Sequence, residues 1–158
     1  MKVIIIVSSQ TLDFYDASGQ CTSFSISTGK NGVGQLYGSE QTPLGQHVIC
    51  EKIGAGALEN TVFVTRKATG EIYSPELAAQ FPERDWILTR ILRLDGCERG
   101  LNKGGEVDTF KRCVYIHGVP DKEPMGVPRS HGCIRMRNQD MMRLFDQVEV
   151  GVLVEIKL

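Results

Sequence analysis

The stretch VEVGVLVEIKL, residues 148–158, carries an apolar side chain at every even position. In an extended chain this period of two places all of those side chains on one face. The stretch therefore predicts a β-strand with one face against a core, and it is the clearest secondary-structure signal in the sequence.

Other segments upstream repeat this β character. Residues 3–7 form a continuous β-branched run, which is typical of a strand buried on both faces. Shorter strand patterns fall at residues 21–27, 48–53, 61–65, 85–94 and 113–116. Many short strands separated by glycine-rich turns predict a mostly β domain.

Two short helices are predicted among the strands. Ser74 supplies a cap, Pro75 takes the first helical position, and the helix should end near Phe81, before Pro82. A second helix should begin with Asn138 as its cap. The apolar side of this second helix consists of Met141, Met142, Leu144 and Phe145.

Length and composition limit what the chain can be. Its 158 residues suit a single domain spanning residues 1–158, and a net charge of −1 gives no field to recruit nucleic acid. No segment is apolar enough for membrane insertion, and residues 1–7 are too short an apolar run for a secretory signal. The five cysteines are an odd number without regular spacing, which favours a reducing, cytoplasmic location.

The densest chemistry lies in SHGCIRM, residues 130–136. Cys133 has small and polar neighbours there, whereas the other four cysteines suit buried structural thiols. A thiol attacks a carbonyl as its thiolate, and an imidazole is the usual group that takes the proton. Cys133 is therefore the candidate nucleophile of an enzyme.

Two histidines are candidates for the base. His117 follows the apolar run 113–116, and alternation places it at the end of a rigid strand. His131 lies only two residues from Cys133 and is the alternative. A base must reach the sulfur from a fixed direction, which favours His117. A hydrogen-bonded core histidine is the other interpretation of His117.

The remaining residues of the motif predict binding functions. The N–H groups of Gly132 and Cys133 are candidates for an oxyanion hole. Arg135 can hold a substrate carboxylate through two hydrogen bonds, and its charge would stabilise a thiolate. Ser130 and His131 are candidate substrate contacts through their hydroxyl and imidazole groups.

Two other kinds of site fit the sequence poorly. The glycine-rich residues 29–34 lack the strand-to-helix context and the Gly-Lys-Ser/Thr ending of a phosphate-binding loop, which favours a flexible connection or pocket rim instead. His117, His131, Cys113 and Cys133 do not follow zinc-ligand spacing, so we expect no metal site.

With these residues in place, the chain resembles the L,D-transpeptidase catalytic domain, also called the YkuD-like family. The hallmark of that family is a histidine, a loop, and Ser/Thr-His-Gly-Cys followed by Ile/Val-Arg or Asn. Here it stands as IHG at 116–118 and SHGCIRM at 130–136. The resemblance continues upstream at residues 27–29 and 42–45 and downstream through 138–154, so it covers nearly the whole chain.

The resemblance implies a mostly β, single-domain sandwich of two packed sheets with two short helices and the cysteine in a cleft. By motif match, Cys133 attacks a peptide carbonyl and His117 is the base, oriented by a backbone carbonyl near Gly118. The amides of Gly132 and Cys133 hold the oxyanion. The resemblance implies no cofactor.

The resemblance also implies a substrate, the peptidoglycan stem tetrapeptide, cut between the L-centre of a diamino acid and the terminal D-alanine. A thioester remains, which water resolves in an L,D-carboxypeptidase and an amine resolves in a transpeptidase that forms 3,3 cross-links. Carbapenems should acylate the same cysteine.

We expect hydrolysis of soluble muropeptides in recycling, with exchange of D-amino acids as a side activity. This expectation rests on the lack of an export signal and of a wall-binding domain, and on the twelve-residue loop between His117 and Ser130. The alternatives are 3,3 cross-linking and a non-catalytic module that binds wall peptides. The sequence leaves the oligomeric state open.

Overall fold

A computed structural model describes all residues from 1 to 158. It contains ten strands, two α-helices and one 3₁₀ turn at Gly105–Val107. The strands are β1 (Lys2–Ile6), β2 (Thr11–Tyr15), β3 (Cys21–Ser27), β4 (Gly45–Ile53), β5 (Thr61–Val64), β6 (Lys67–Ile72), β7 (Ile87–Gly96), β8 (Tyr115–Val119), β9 (Ile134–Arg137) and β10 (Leu153–Lys157). The helices are α1 (Pro75–Gln80) and α2 (Asn138–Gln147).

All ten strands belong to one continuous sheet, in the order β4-β10-β1-β2-β3-β9-β8-β7-β5-β6. Strand β4 also pairs with β7, which closes the eight strands from β4 to β7 into a barrel-like ring. The β5–β6 hairpin extends outward from β7. The mostly β class is as expected, but the sandwich of two separate sheets is not, because β4 bonds to a neighbour along both of its edges.

Two strand pairs in this ring are parallel, β1 with β10 and β8 with β9. Parallel neighbours require a crossover between them, and the segment that joins β8 to β9 supplies one. This crossover carries most of the motif that follows His117. The parallel pairing of β8 with β9 is therefore the feature of the fold that positions the candidate site.

The main core holds 19 buried residues from the inner faces of the strands and from one side of α2. The sequence predicted a strand buried on both faces, but along β1 only Val3 and Ile5 are buried, and they alternate with more exposed positions. The helix contributes Met141, Leu144 and Phe145 to the same core, which fixes α2 against β7, β8 and β9. Burial of these apolar side chains is the main source of stability for the ring.

Most predicted strands are confirmed to within three residues, and residues 148–158 are the exception. Only Leu153–Lys157 is a strand there, while Val148 ends α2 with its side chain in the core. Gly151 turns the chain with a φ of 96°. The even-numbered side chains before Leu153 therefore serve a helix end and a turn. Strands β2 and β6 were not predicted, and β6 is mostly exposed, so only its pairing with β5 defines it.

Both predicted helices are confirmed, with one difference in capping. The Ser74 hydroxyl accepts the Leu77 N–H at 3.1 Å, as expected for the cap of α1. In α2 the capping position is Arg137, and Asn138 is the first helical residue. The Asn138 side chain is buried and bonds to the β-sheet instead of to its own helix. Neither helix is long and apolar enough to cross a bilayer.

Candidate active site

The parallel pairing of β8 with β9 sets the position of Cys133. His117 pairs with Arg135, and Cys133 directly precedes β9. Continuing that register places Cys133 beside Tyr115, and the Tyr115 N–H donates to Cys133 Sγ at 3.3 Å. Tyr115 and His117 face the same way, because side chains alternate along a strand.

Packing confirms the face on which the sulfur lies. Cys133 packs against an apolar cluster that includes Tyr115 and Ile91. Ile91 is the residue that pairs with His117 across β7 and β8. His117 and Cys133 therefore share one face, one strand and two residues apart. Strand spacing and rise put their Cα atoms about 8 Å apart, which is within reach of their side chains.

The turn that carries the nucleophile is held by Ser130. The Ser130 hydroxyl donates to the Cys133 carbonyl at 2.5 Å and accepts the Gly132 N–H at 3.1 Å. Gly132 has a φ of 117°, and a Cβ there would lie 3.1 Å from the Gln41 carbonyl oxygen. Only glycine fits this position without strain. Ser130 is 1% exposed and both hydrogen bonds of its hydroxyl lie within the turn, so its observed role is to maintain the turn.

The glycine-rich segment, residues 29–45, packs against this turn. The Thr42 hydroxyl donates to the Gly132 carbonyl at 2.9 Å and accepts the Gly29 N–H at 2.9 Å. Gly29 also forms a β-bridge with Ser130. The segment thus supports the nucleophile turn and forms part of the rim of the cleft.

His117 is buried and held in one tautomer. Its Nδ1 lies 2.8 Å from the Gly118 carbonyl oxygen, which can only accept, so Nδ1 carries the proton. Nε2 is therefore the basic nitrogen. A Cβ on Gly118 would meet the Asn138 side-chain oxygen and lie 2.7 Å from the Leu88 carbonyl. The absence of a side chain at position 118 is what lets these groups pack behind the imidazole.

A buried polar network supports Gly118 from behind. The Thr89 hydroxyl donates to Asn138 Oδ1 at 2.6 Å and accepts the Asn60 N–H at 3.0 Å. Asn138 Nδ2 in turn donates to Asn60 Oδ1 at 3.0 Å. Both Asn60 and Thr89 have positive φ values, 69° and 73°, which non-glycine residues rarely adopt. Sequence analysis missed this network, because its members are far apart in the chain.

Burial favours the neutral forms of the two candidate catalytic groups. It raises the pKa of the Cys133 thiol to about 12, and the Tyr115 N–H offsets only part of that effect. Burial also lowers the pKa of His117, although the Gly118 carbonyl and the charge of Asp85 oppose it. The resting pair is therefore a thiol beside a neutral imidazole.

Asp85 links the other two predicted binding residues. Its carboxylate accepts from Arg135 at 3.0 Å and lies 3.3 Å from His131 Nδ1. Burial opposes the ionisation of Asp85, but electrostatic interactions with His117, Arg135 and His131 together outweigh it and hold the pKa of Asp85 below its usual range. Arg135 is 8% exposed and also lies 4.0 Å from Glu123, so carboxylates of the protein already compete for the place that we expected a substrate carboxylate to take.

The sulfur opens onto a cleft of about 540 Å³. His131 and Gly132 line it as expected, whereas Ser130 and Arg135 do not. His117 is buried behind the lining. Several residues that were not predicted from the sequence also line the cleft. These are Tyr37, Glu40, Arg66, Asp85, Arg112 and Tyr115, among others.

The two expected oxyanion donors differ in their availability. The Gly132 N–H is already bonded to Ser130, whereas the Cys133 N–H makes no hydrogen bond within the protein. The Cys133 amide is thus the free donor next to the sulfur. No group of three or more His, Cys, Asp or Glu side chains is arranged to hold a metal ion.

Similarity to known proteins agrees with this site. The family model for the L,D-transpeptidase catalytic domain, YkuD, matches residues 1–156. The probable L,D-transpeptidase YbiS of Escherichia coli K12 is 43% identical over 44 residues, which are 28% of this chain and 14% of that protein. The probable L,D-transpeptidase ErfK/SrfK of Salmonella typhimurium is 47% identical over 45 residues, 28% of this chain and 15% of that protein.

Solved structures show the same fold. An L,D-transpeptidase from Mycobacterium smegmatis has a TM-score of 0.60 and 18% identity, covering 99% of this chain and 58% of that one. The L,D-transpeptidase LdtMt1 in complex with imipenem has a TM-score of 0.57 and 20% identity, covering 98% and 57%. The chain thus spans a little over half of these structures. Because the family model covers nearly every residue, the chain belongs to the L,D-transpeptidase catalytic domain family.

Proposed function

We propose that the protein is a cysteine acyl-enzyme that releases D-alanine from peptidoglycan stem tetrapeptides, with water as the acceptor. The scissile bond joins the L-centre of a diamino acid to the terminal D-alanine. This is L,D-carboxypeptidase activity in muropeptide recycling. The observation that carries the proposal is a thiol on an open cleft with an imidazole on the same sheet face.

The proposed reaction passes through a thioester on Cys133. Cys133 Sγ bonds to the peptide carbonyl carbon while its proton passes to His117 Nε2. The Cys133 N–H donates to the oxyanion. The C–N bond then breaks, His117 protonates the departing amine, and a thioester remains. His117 next takes a proton from water, the hydroxide attacks the thioester, and the thiol recovers its proton as the tripeptide acid leaves.

Support for water as the acceptor comes from the cysteines. All five are free thiols, and two of them, Cys21 and Cys97, are exposed, contrary to their interpretation as buried structural thiols. Exposed unpaired thiols suit a reducing compartment, where soluble muropeptides are present and polymeric wall is absent. We therefore propose a cytoplasmic location. A membrane-impermeant maleimide should label Cys21 only after cell lysis, and labelling in intact cells would place the protein outside the cytoplasm.

The alternative with the same chemistry is 3,3 cross-linking, in which an amine of a second stem peptide resolves the thioester. Exchange of D-amino acids is a third outcome of the same intermediate. One test separates all of them. A defined disaccharide tetrapeptide is incubated with and without an amine acceptor, and the products are identified by mass spectrometry.

We expect the tripeptide as the main product in both incubations. Cys133→Ala should abolish D-alanine release, while Cys21→Ala is the matched control, because Cys21 is an exposed cysteine outside the cleft. Full D-alanine release by Cys133→Ala would eliminate the mechanism. A dimeric product in the presence of the amine would instead establish cross-linking, and tight binding without any product would indicate a binding module.

Carbapenems offer a second test of the nucleophile. The strained β-lactam carbonyl presents the electrophile that the thiol attacks, and a related transpeptidase has been solved in complex with imipenem. We expect imipenem to add its mass to the wild-type protein and not to Cys133→Ala. A mass shift that survives the substitution would place the reaction on another residue.

A further inference from the structure

Two arginines on the wall of the Cys133 cleft have no carboxylate partner. Arg66 and Arg112 both line the cleft, and neither takes part in any of the eight ion pairs of the protein. The acidic residues of the same wall do not neutralise them. Asp85 is paired with Arg135, and Glu40 forms no ion pair with either arginine.

Arg66 is fixed on the wall of the cleft by a tight turn. It occupies the two-residue β5–β6 hairpin with Thr65, and both residues have positive φ values, 63° and 50°. Such turns favour asparagine and glycine, so an arginine here is strained. Its guanidinium donates to the Tyr115 hydroxyl at 2.9 Å, and the Tyr115 N–H contacts Cys133 Sγ.

Strain is concentrated around this cleft. Seven non-glycine residues in the protein have positive φ values, and four of them line the cleft. These four are Glu40, Thr65, Arg66 and Cys113. Strained backbone that persists at a cleft is a mark of functional positioning.

Arg112 is held only by neutral acceptors. Its guanidinium donates to the Gly34 carbonyl at 3.1 Å, the Ser39 hydroxyl at 3.3 Å and the Gln41 carbonyl at 2.5 Å. These contacts orient the half-buried side chain but leave its positive charge uncompensated. The cleft thus presents two oriented guanidinium groups, whereas the charge of Arg135 is already neutralised.

The proposed substrate brings carboxylates to this place. The terminal carboxylate of a tetrapeptide lies one residue beyond the attacked carbonyl, a distance of about 3.5 Å along an extended chain. A diamino acid such as diaminopimelate carries a further carboxylate at the end of its side chain. Guanidinium groups bind carboxylates through paired, charge-assisted hydrogen bonds.

We propose that Arg66 and Arg112 bind a carboxylate of the donor peptide and make the enzyme selective for anionic peptides. This inference rests on the proposed function. Both arginines are specificity-determining residues, and Arg135 is a structural partner of Asp85.

The test measures binding and turnover on three peptides: the tetrapeptide, its C-terminal amide, and a tetrapeptide with lysine at position three. Binding is measured by calorimetry in a Cys133→Ala background, which requires no turnover. Failure of the wild-type enzyme to release D-alanine would then count against the proposed function alone. The variants are Arg66→Gln and Arg112→Lys, and exposed Arg99→Gln is the matched control.

We expect at least one of the two analogues, each of which lacks one carboxylate, to bind about 10- to 100-fold more weakly than the tetrapeptide, as for a lost charged hydrogen bond. Weak binding of the amide identifies the terminal carboxylate, and weak binding of the lysine peptide identifies the side-chain carboxylate. Arg66→Gln should reduce the preference for the tetrapeptide over that analogue to about threefold or less. Arg112→Lys should reduce this preference in part, because lysine keeps the charge but loses the paired N–H donors of the guanidinium. Arg99→Gln should leave it unchanged.

Two results would overturn the inference. One is equal affinity of the Cys133→Ala protein for all three peptides. The other is an Arg66→Gln substitution that lowers the affinity for all three peptides equally. A merely structural role would lower affinity in this way without changing the preference among the peptides. Thermal unfolding of each variant shows whether the fold is retained.

Discussion

The Cys133 thiol should be protonated and slow to react until substrate is bound. Its pKa of about 12 leaves roughly one thiolate in 10⁵ molecules at pH 7. An unburied thiol with a pKa of about 8.5 has roughly 3% thiolate. The deficit of about 3.5 orders of magnitude is partly offset, by about 1.5 orders, because a more basic thiolate is a better nucleophile. Cys133 should therefore alkylate about 100-fold more slowly than an exposed thiol.

The assay is iodoacetamide labelling from pH 6 to pH 10, read by peptide mass mapping. The exposed Cys21 serves as the internal reference in the same tube. Cys113 lines the same cleft as Cys133, so the ratio of their labelling rates corrects for access of the reagent. We expect the rate at Cys133 to rise about tenfold per pH unit, without a plateau below pH 10.

A plateau below pH 8 at Cys133, or labelling as fast as at Cys21, would refute this reasoning. Such a result would mean that the resting enzyme holds an imidazolium–thiolate pair and that burial does not control the pKa of the thiol. If the resting pair is neutral, the proton moves to His117 during the attack itself. Because its pKa is lowered, the His117 imidazole stays unprotonated, and so able to accept a proton, at pH values below its ordinary pKa.

Two further predictions concern the supports of the site and of the fold. Gly118→Ala should lower kcat about 100-fold and destabilise the protein by about 1–3 kcal/mol, because the added methyl group meets Asn138 and the Leu88 carbonyl. A variant with wild-type kcat would show that Gly118 does not set the position of His117. Burial lowers the pKa of His47 to about 4, below its unfolded value of about 6.5, so this residue contributes stability above pH 6.5 that is lost as the pH falls through 4. Between pH 7 and pH 4, the free energy of unfolding measured with urea should fall by about 3 kcal/mol less in His47→Gln than in the wild type. The same pH dependence in both proteins would contradict the assignment.

The chemistry of the site was more predictable than its binding surface. Cys133 was selected for its small and polar neighbours, and His117 was selected because alternation placed it at the end of a rigid strand. Ser130 and Arg135 were selected because they are near Cys133 in sequence. Nearness in sequence does not reveal burial, and the structure assigns Ser130 to the turn and Arg135 to an ion pair with Asp85.

Residues 148–158 show the same distinction within the fold. The apolar side chains of this stretch recur with a period of two, and that pattern is consistent with one strand along its whole length. The structure divides the stretch among the end of α2, a turn at Gly151 and the strand Leu153–Lys157. Val148 reaches the core from a helix end, so burial alone did not distinguish the two conformations.

The sequence by itself determined that strands dominate, and it selected Cys133 and His117 as the candidate pair for proton exchange. Alternation and functional-group chemistry are local properties, and each residue carries them wherever it lies. Only the tertiary structure decided that β4 closes the sheet, that β8 and β9 run side by side, and that Arg66 and Arg112 reach the cleft while Arg135 is neutralised. Strand partners, burial and ion pairing are set by contacts between residues distant in the chain, and a local pattern does not contain them.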